Sequence, residues 1–221
     1  MNLPYALFSW PWHVAAALLA LAALLLAARR VDWGALAHSG PRLNALLGFA
    51  VCMTLLWSLR AGVLPGLNLH LLGAMAACLM FGPHLALIAL ALVLTGISLN
   101  GAVEWAAWPI NFLVMGVVPV MIAQAIRRLV ERHLPSHFFV YIFVMAFAGS
   151  ALVVLLVGVV AVLLLAGAGA YPWSFLVSEY LPYFVLLAFA EAWISGAVTT
   201  MMVVYRPEWV ATFDDRRYLR R

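Results

Sequence analysis

Apolar residues in this chain run in long unbroken blocks, and the short patches between them carry nearly all of its charge. The blocks show no two-residue alternation, so they read as helices rather than as strands of a barrel. A helix needs about 20 residues to cross the hydrocarbon of a bilayer. The first block predicts a helix from Trp10 to Ala28, stopped by Arg29 and Arg30, and the second a helix from Leu43 to Leu59, stopped by Arg60. Residues 61–68, Ala-Gly-Val-Leu-Pro-Gly-Leu-Asn, read as a turn by their Gly and Pro content. The stretch from Leu69 to Leu99 is too long for one ordinary span, and Gly82-Pro83 divides it. Proline removes a helix hydrogen bond and pushes its predecessor out of the helical region. Two antiparallel helices follow, 69–81 and 84–99, short enough for one or both to begin below the membrane surface. Further helices are predicted from Pro109 to Ile126, from Phe138 to Leu165 and from Leu181 to Tyr205, with a basic loop reaching His137 and a polar tail from Arg206.

Composition agrees with this pattern. Hydrophobic residues make up 67% of the 221 and charged residues only 9%, against about 25% charged in ordinary globular domains. Lipid is the solvent that accepts so much apolar surface. The expected fold class is therefore all-α, a polytopic membrane protein of about seven transmembrane helices forming a single integral membrane domain over residues 1–221. The first block lacks a small-residue cleavage site and reads as a retained helix rather than a signal peptide. Cys52 and Cys78 lie inside apolar blocks, spell no metal or redox motif, and read as small core residues.

Charge then orients the chain. All the basic residues are arginine, and the net charge is +4. With seven crossings and the N-terminus outside, Arg29, Arg30, Arg42, Arg127, Arg128, Arg132, Arg206, Arg216, Arg217, Arg220 and Arg221 fall on the inner side, and only Arg60 falls outside. Cytoplasmic loops carry the excess of Lys and Arg, so the C-terminus is expected in the cytoplasm and the protein in a bacterial inner membrane. Arginines at helix ends are explained by orientation, and no nucleic-acid partner is expected.

That topology gathers Met1, Asn2, Asn68, His70, Asn100, Glu104, Asn111 and Glu179 toward the outer face. Intramembrane polar and ionisable groups are functional hypotheses by default. A neutral imidazole is the commonest transition-metal ligand, which singles out His70 at the start of its short helix; the plain alternative is a histidine bonded at a helix start. His13, near the outer end of the first helix, is a weaker candidate of the same kind. Glu191 sits about ten residues into the last helix, where a carboxylate must be protonated, paired or in a polar cavity. It reads either as a hydrogen-bond hub or as a group that orients ligands or lines a pathway. Glu104 reads as a solvated loop residue and Asn111 as a cap or bridge at a helix start, each with a supporting role as the alternative. His84, His133 and His137 read as solvated or interfacial. No Walker A loop, His-Glu-x-x-His motif or Gly-x-Ser-x-Gly elbow occurs, so the chain is expected neither to bind nucleotide nor to be an enzyme.

Leu69-His-Leu-Leu-Gly-Ala74, followed by Phe81-Gly-Pro83, resembles the signature of the CbiM/NikM family, the membrane substrate-binding components of energy-coupling factor importers for cobalt and nickel. Asn111-Phe-Leu-Val-Met-Gly-Val-Val-Pro119 is similar to that family's Asn-x-x-x-Met-Gly-Val-Val helix, Ala190-Glu-Ala-Trp-Ile-Ser-Gly-Ala197 through Arg206-Pro207 to its ending, and Met1-Asn-Leu-Pro4 to its Met-His-Ile-Pro start. The resemblance implies seven helices, an outward N-terminus, and a metal site built from the amine of Met1 and the imidazole of His70. Where the family carries a histidine at position 2 this chain has Asn2, so the donor set is one imidazole short and Asn2 stands as a weaker candidate ligand. Asn68, Asn100, Glu104, Asn111 and Glu191 are expected to support the site or line a pathway. The resemblance implies a divalent transition metal, nickel or cobalt, as substrate, and separate ATPase and transmembrane coupling subunits as partners. The alternative is a stand-alone membrane metal-binding or assembly factor on the same fold.

Overall fold

The structure, a computed structural model, describes residues 2–62, 64 and 67–219. Met1, the Pro65-Gly66 pair of the predicted turn, and Arg220 and Arg221 lie outside the described residues. The chain forms α1 (Trp10–Arg30), α2 (Trp33–His38) and α3 (Gly40–Ser58), then a two-stranded antiparallel ribbon of β1 (Ala61–Gly62) and β2 (Asn68–Leu69). After it come α4 (Ala74–Phe81) and α5 (Pro83–Leu99), α6 (Trp105–His133), α7 (Val140–Gly167) and α8 (Tyr183–Tyr205). Helices α1, α3, α6, α7 and α8 are long and apolar enough to cross a bilayer.

The break at Gly82-Pro83 is present, and its reason is local. Gly82 holds φ +76°, a left-handed conformation that is strained for any residue with a Cβ. Pro83 then opens α5, where its missing N–H costs nothing. The helix predicted over 69–81 is shorter than expected. Asn68 and Leu69 pair with Gly62 and Ala61, residues 70–73 are irregular, and α4 begins only at Ala74. His70 therefore stands on an irregular segment rather than on a helix. Eight residues of helix span about 12 Å, far short of the roughly 30 Å hydrocarbon. The segment before α4 thus runs down inside the bundle, and irregular backbone at that depth requires partners within the protein.

Those partners are found at both ends of α4. Its N-terminal side is met by the Glu191 carboxylate of α8. At its C-terminus the tail returns: Ala211 N–H donates to Met80 O (2.9 Å), and the Thr212 hydroxyl to Leu79 O (2.8 Å). These bonds occupy carbonyls that a helix end leaves unpaired. The tail end of the bundle is also the arginine-rich end. There Arg127 and Arg217 meet Glu131 at 2.8 and 3.6 Å, while Arg60 lies at the other end, donating to Ala102 O.

Two further differences concern length and exposure. The helix predicted to stop at Ile126 continues to His133, because the basic residues of its last turn complement the helix C-terminus. Of the two cysteines, Cys78 is buried as expected, whereas Cys52 is exposed on α3. Helices α7 and α8 approach closely through small residues, as helices in lipid do: a Cβ at Gly158 would lie 2.5 Å from the Phe184 ring and one at Gly196 2.4 Å from that of Phe147.

Candidate functional site

Three parts of the chain, distant in sequence, meet beside α6. The first is the N-terminal segment. Leu3 is pinned by Asn111, whose Oδ1 accepts from Leu3 N–H (2.8 Å) and whose Nδ2 donates to Leu3 O (2.9 Å) and to Ala107 O (3.0 Å). Asn111 is 0% exposed. The amide thus reads a backbone unit as another strand would, and it fixes both the height and the rotation of the N-terminal segment. Asn2 is buried alongside, with Nδ2 donating to Ala102 O (3.3 Å), the same carbonyl that accepts from Arg60. Its Oδ1 has no hydrogen-bond partner among the described residues.

The second is the segment carrying His70. The imidazole is 3% exposed, packs against the Trp57 ring of α3 (centroids 4.8 Å apart), places Nδ1 3.0 Å from Leu71 O and Nε2 3.2 Å from the Met115 sulfur. We assign the proton of the neutral ring to Nδ1, because the Leu71 carbonyl is a stronger acceptor than a thioether, which leaves Nε2 bare. The Trp57 indole N–H, also buried, has no partner among the described residues.

The third is Glu191, which holds that segment in place. Its two oxygens accept from Leu72 N–H and Gly73 N–H (2.7 Å each), and Oε1 also accepts from the Ser195 hydroxyl one turn on (3.0 Å). Hydrogen bonds to an ionised acceptor are short and strong, and a carboxylate is favoured at a helix N-terminus. The sequence cooperates at Gly73, which sits at φ +66°, and where a Cβ would fall 2.6 Å from Met53 Cε. The positive φ favours glycine there, and a side chain would in addition push the flexible tip of Met53 aside.

One helix joins these parts. Asn111 and Met115 are four residues apart on α6 and so share a face, about 6 Å apart along the axis. Residues 113–117 between and around them form a π-helical turn, a local bulge frequent at functional sites. The N-terminal segment is therefore pinned one turn from the residue that touches His70.

Of the other candidates, Glu104 is exposed and accepts from Tyr5 N–H through Oε2 (3.2 Å), tying down the N-terminal segment from outside. His13 serves the same segment: Nε2 faces Tyr5 O (3.0 Å) and the ring stacks on Tyr5 (3.9 Å). Asn68 sits in β2 with its side chain against Gly62. Asn100 is exposed at the end of α5 and is not brought to His70 by any bond described here. Met1 lies outside the described residues. Among the described residues no three His, Cys, Asp or Glu side chains cluster to hold a metal ion. Met115 and Trp57 were missed from the sequence. The four-residue step from Asn111 was the available signal for Met115; nothing local marks Trp57.

Comparison with known proteins sharpens the picture. The fold resembles a truncated transition metal transporter of known crystal structure, at 17% identity and a TM-score of 0.79, covering 93% of this chain and 99% of that one. It also resembles a transition metal transporter at 17% identity and a TM-score of 0.78, covering 91% and 92%. No individually curated protein matches the sequence. Residues 2–209 match the CbiM family, the cobalt uptake substrate-specific transmembrane region. A match over nearly the whole length, on a fold that brings the residues of the signature together, shows that this multi-pass membrane protein belongs to the CbiM family of metal-uptake components.

Proposed function

We propose that this chain is the substrate-binding membrane component of an energy-coupling factor importer for a divalent transition metal, cobalt or nickel. The observation that carries the reading is the pinning of Leu3 by Asn111, one helical turn from the contact between Met115 and His70. An ion would bind through the bare Nε2 of His70 and the amine of Met1, with Asn2 beside them. Asn111, Glu104 and His13 position the N-terminal segment, and Glu191 positions the His70 segment. Groups that orient ligands matter to metal affinity almost as much as the ligands do.

The same reading assigns orientation. The arginine-rich end faces the cytoplasm by the positive-inside rule, which places the N-terminal site at the outer face of a bacterial inner membrane. The chain then crosses seven times, with α4 and the irregular segment before it sharing one passage. It acts as one integral domain, with separate ATPase and transmembrane coupling subunits driving release, and with no catalytic residue of its own.

Metal content of the full chain, purified with its native N-terminus, tests the site. Wild type is expected to retain stoichiometric cobalt or nickel and His70→Ala to lose it. Equal metal in both proteins, checked by elemental analysis, would remove His70 from the site.

A further inference from the structure

At the arginine-rich end a cavity of about 200 Å³ opens where the end of α1, the short helix α2 and the starts of α3 and α5 come together. Its exposed lining includes Arg30, Arg42 and His84, and its buried lining Leu36, Phe81 and Leu85. Among the described residues Arg127, Arg206 and Arg217 form ion pairs, whereas Arg30 and Arg42 form none. Asp32, the carboxylate on this cavity, caps α2, its Oδ1 accepting from Ala35 N–H (2.9 Å). The last carbonyls of α1 are also engaged: Ala27 O accepts from Val31 N–H (3.1 Å) and Ala28 O from the Trp33 indole N–H (2.8 Å). Two unpaired guanidinium groups on one cavity repel each other until an anion joins them.

The surroundings say which anion. Within a turn or two of the arginines the outward faces of the flanking helices are apolar, with Leu25 and Leu26 exposed on α1 and Leu47 and Val51 on α3. Trp33, exposed beside the cavity mouth with its N–H bonded to Ala28 O, is the kind of residue that sits at the headgroup level of a membrane. The two arginines therefore stand at the boundary of hydrocarbon and water, at the height of lipid phosphates. On α5 the exposed positions His84, Leu92 and Leu99 follow one face of the helix, a track for an acyl chain leading away from the cavity. Planar guanidinium groups bind phosphate oxygens in pairs, and basic pockets between membrane helices take anionic headgroups.

We propose that Arg30 and Arg42 bind the phosphate of an anionic membrane lipid, whose chain lies along the exposed face of α5, and that this lipid braces the Gly82-Pro83 turn. The brace acts on the turn because Phe81 and Leu85, on its two sides, both line the cavity. The first turn of α5, which opens at Pro83, adds the positive end of that helix to the two guanidinium charges. Phosphate headgroups lie at both faces of a bilayer, so this site depends neither on the orientation of the chain nor on the metal site proposed above.

The test uses the full chain in detergent, stripped of native lipid, with the double variant Arg30→Gln/Arg42→Gln. Arg29→Gln/Arg216→Gln is the control, because it removes the same charge from residues that do not line the cavity. Dioctanoyl phosphatidylglycerol, dioctanoyl phosphatidylcholine and inorganic phosphate are titrated in turn, with bound lipid counted by native mass spectrometry. A basic side chain at a lipid surface contributes roughly a factor of five to affinity for anionic lipid, so Arg30→Gln/Arg42→Gln is expected to weaken phosphatidylglycerol about 25-fold. The control should lose less than about threefold, since exposed charges away from the ligand are screened. Hydrogen exchange is followed in the unsubstituted chain, where phosphatidylglycerol should slow the amides of residues 30–36 and 82–86 and phosphatidylcholine should not.

Equal affinity for phosphatidylglycerol in a folded Arg30→Gln/Arg42→Gln protein and in the control overturns the proposal. So does phosphatidylcholine binding as tightly as phosphatidylglycerol to the unsubstituted chain. If inorganic phosphate at the same concentration gives the same protection from exchange, the cavity takes a free anion and the lipid is ruled out. Unprotected amides at 30–36 and 82–86 in the lipid-loaded unsubstituted chain decide against the site even if the double variant fails to fold.

Discussion

Two sets of buried polar groups meet the His70 segment, and they are built on opposite principles. Around Glu191 every demand is met: two backbone amides and a serine hydroxyl converge on one carboxylate at 2.7–3.0 Å. Around His70 demands are left open: a bare imidazole nitrogen faces a thioether, and the Trp57 indole N–H packed against the ring has no partner among the described residues, nor has Asn2 Oδ1 in the N-terminal segment. Fully satisfied buried networks rigidify a fold, whereas an unpaired buried group costs free energy that something else must offset. The first cluster is therefore scaffolding, and the second is where a ligand is expected. Substitutions on the two sides should separate stability from metal binding.

The largest effect on stability belongs to Glu191. Glu191→Ala strands the Leu72 and Gly73 amides in the interior, at about 1–3 kcal/mol for each unpaired donor. Thermal unfolding in detergent should show a large fall in midpoint, together with loss of bound metal because the His70 segment is released. A Glu191→Ala protein as stable as wild type would erase the distinction between the clusters. Asn111→Ala comes next. It strands the Leu3 amide, a single buried donor worth about 1–3 kcal/mol, and frees the N-terminal segment. Hydrogen exchange at Leu3 should accelerate while amides in α8 keep their protection. Unchanged exchange at Leu3 would mean that the segment is held without Asn111.

The legibility of these clusters in the sequence follows the physics that built them. Helices α1, α3, α7 and α8 were legible within a few residues, since each is a plain apolar block bounded by arginine or by turn residues. Gly82-Pro83 was legible because both residues act on their own backbone. The irregular segment before α4 was not. Its sequence, Leu69-His-Leu-Leu-Gly-Ala74, is as apolar as a helix, and what unwinds it is tertiary: pairing with β1 and a carboxylate 118 residues away. Glu191 was anticipated as a hydrogen-bond hub without its partners. Asn111 was anticipated as a bridge, but not that it would bridge to Leu3. His70 emerged as a candidate from its residue type and its place in the signature, while Met115 stayed hidden inside an apolar run because a methionine there looks like any other core residue.

The smallest expected effect on stability sharpens the comparison most. Asn2 donates one long bond to Ala102 O at 3.3 Å, and its Oδ1 is unpaired among the described residues. Asn2→Ala removes a weak bond and an unsatisfied acceptor together, and the two contributions oppose each other. The unfolding free energy of the metal-free protein should then stay within about 0.5 kcal/mol of wild type, the range of substitutions that break no essential contact. The metal-loaded protein should behave differently. A ligand that binds only the folded state adds stability according to its affinity, so an oxygen that supports the ion raises the unfolding midpoint only when metal is present. Asn2→Ala should therefore leave the metal-free midpoint in place and shrink the shift produced by added cobalt or nickel. Equal metal-induced shifts in the two proteins would show that the unpaired oxygen at position 2 takes no part in binding, leaving His70 as the sole anchor among the described residues of the divalent site.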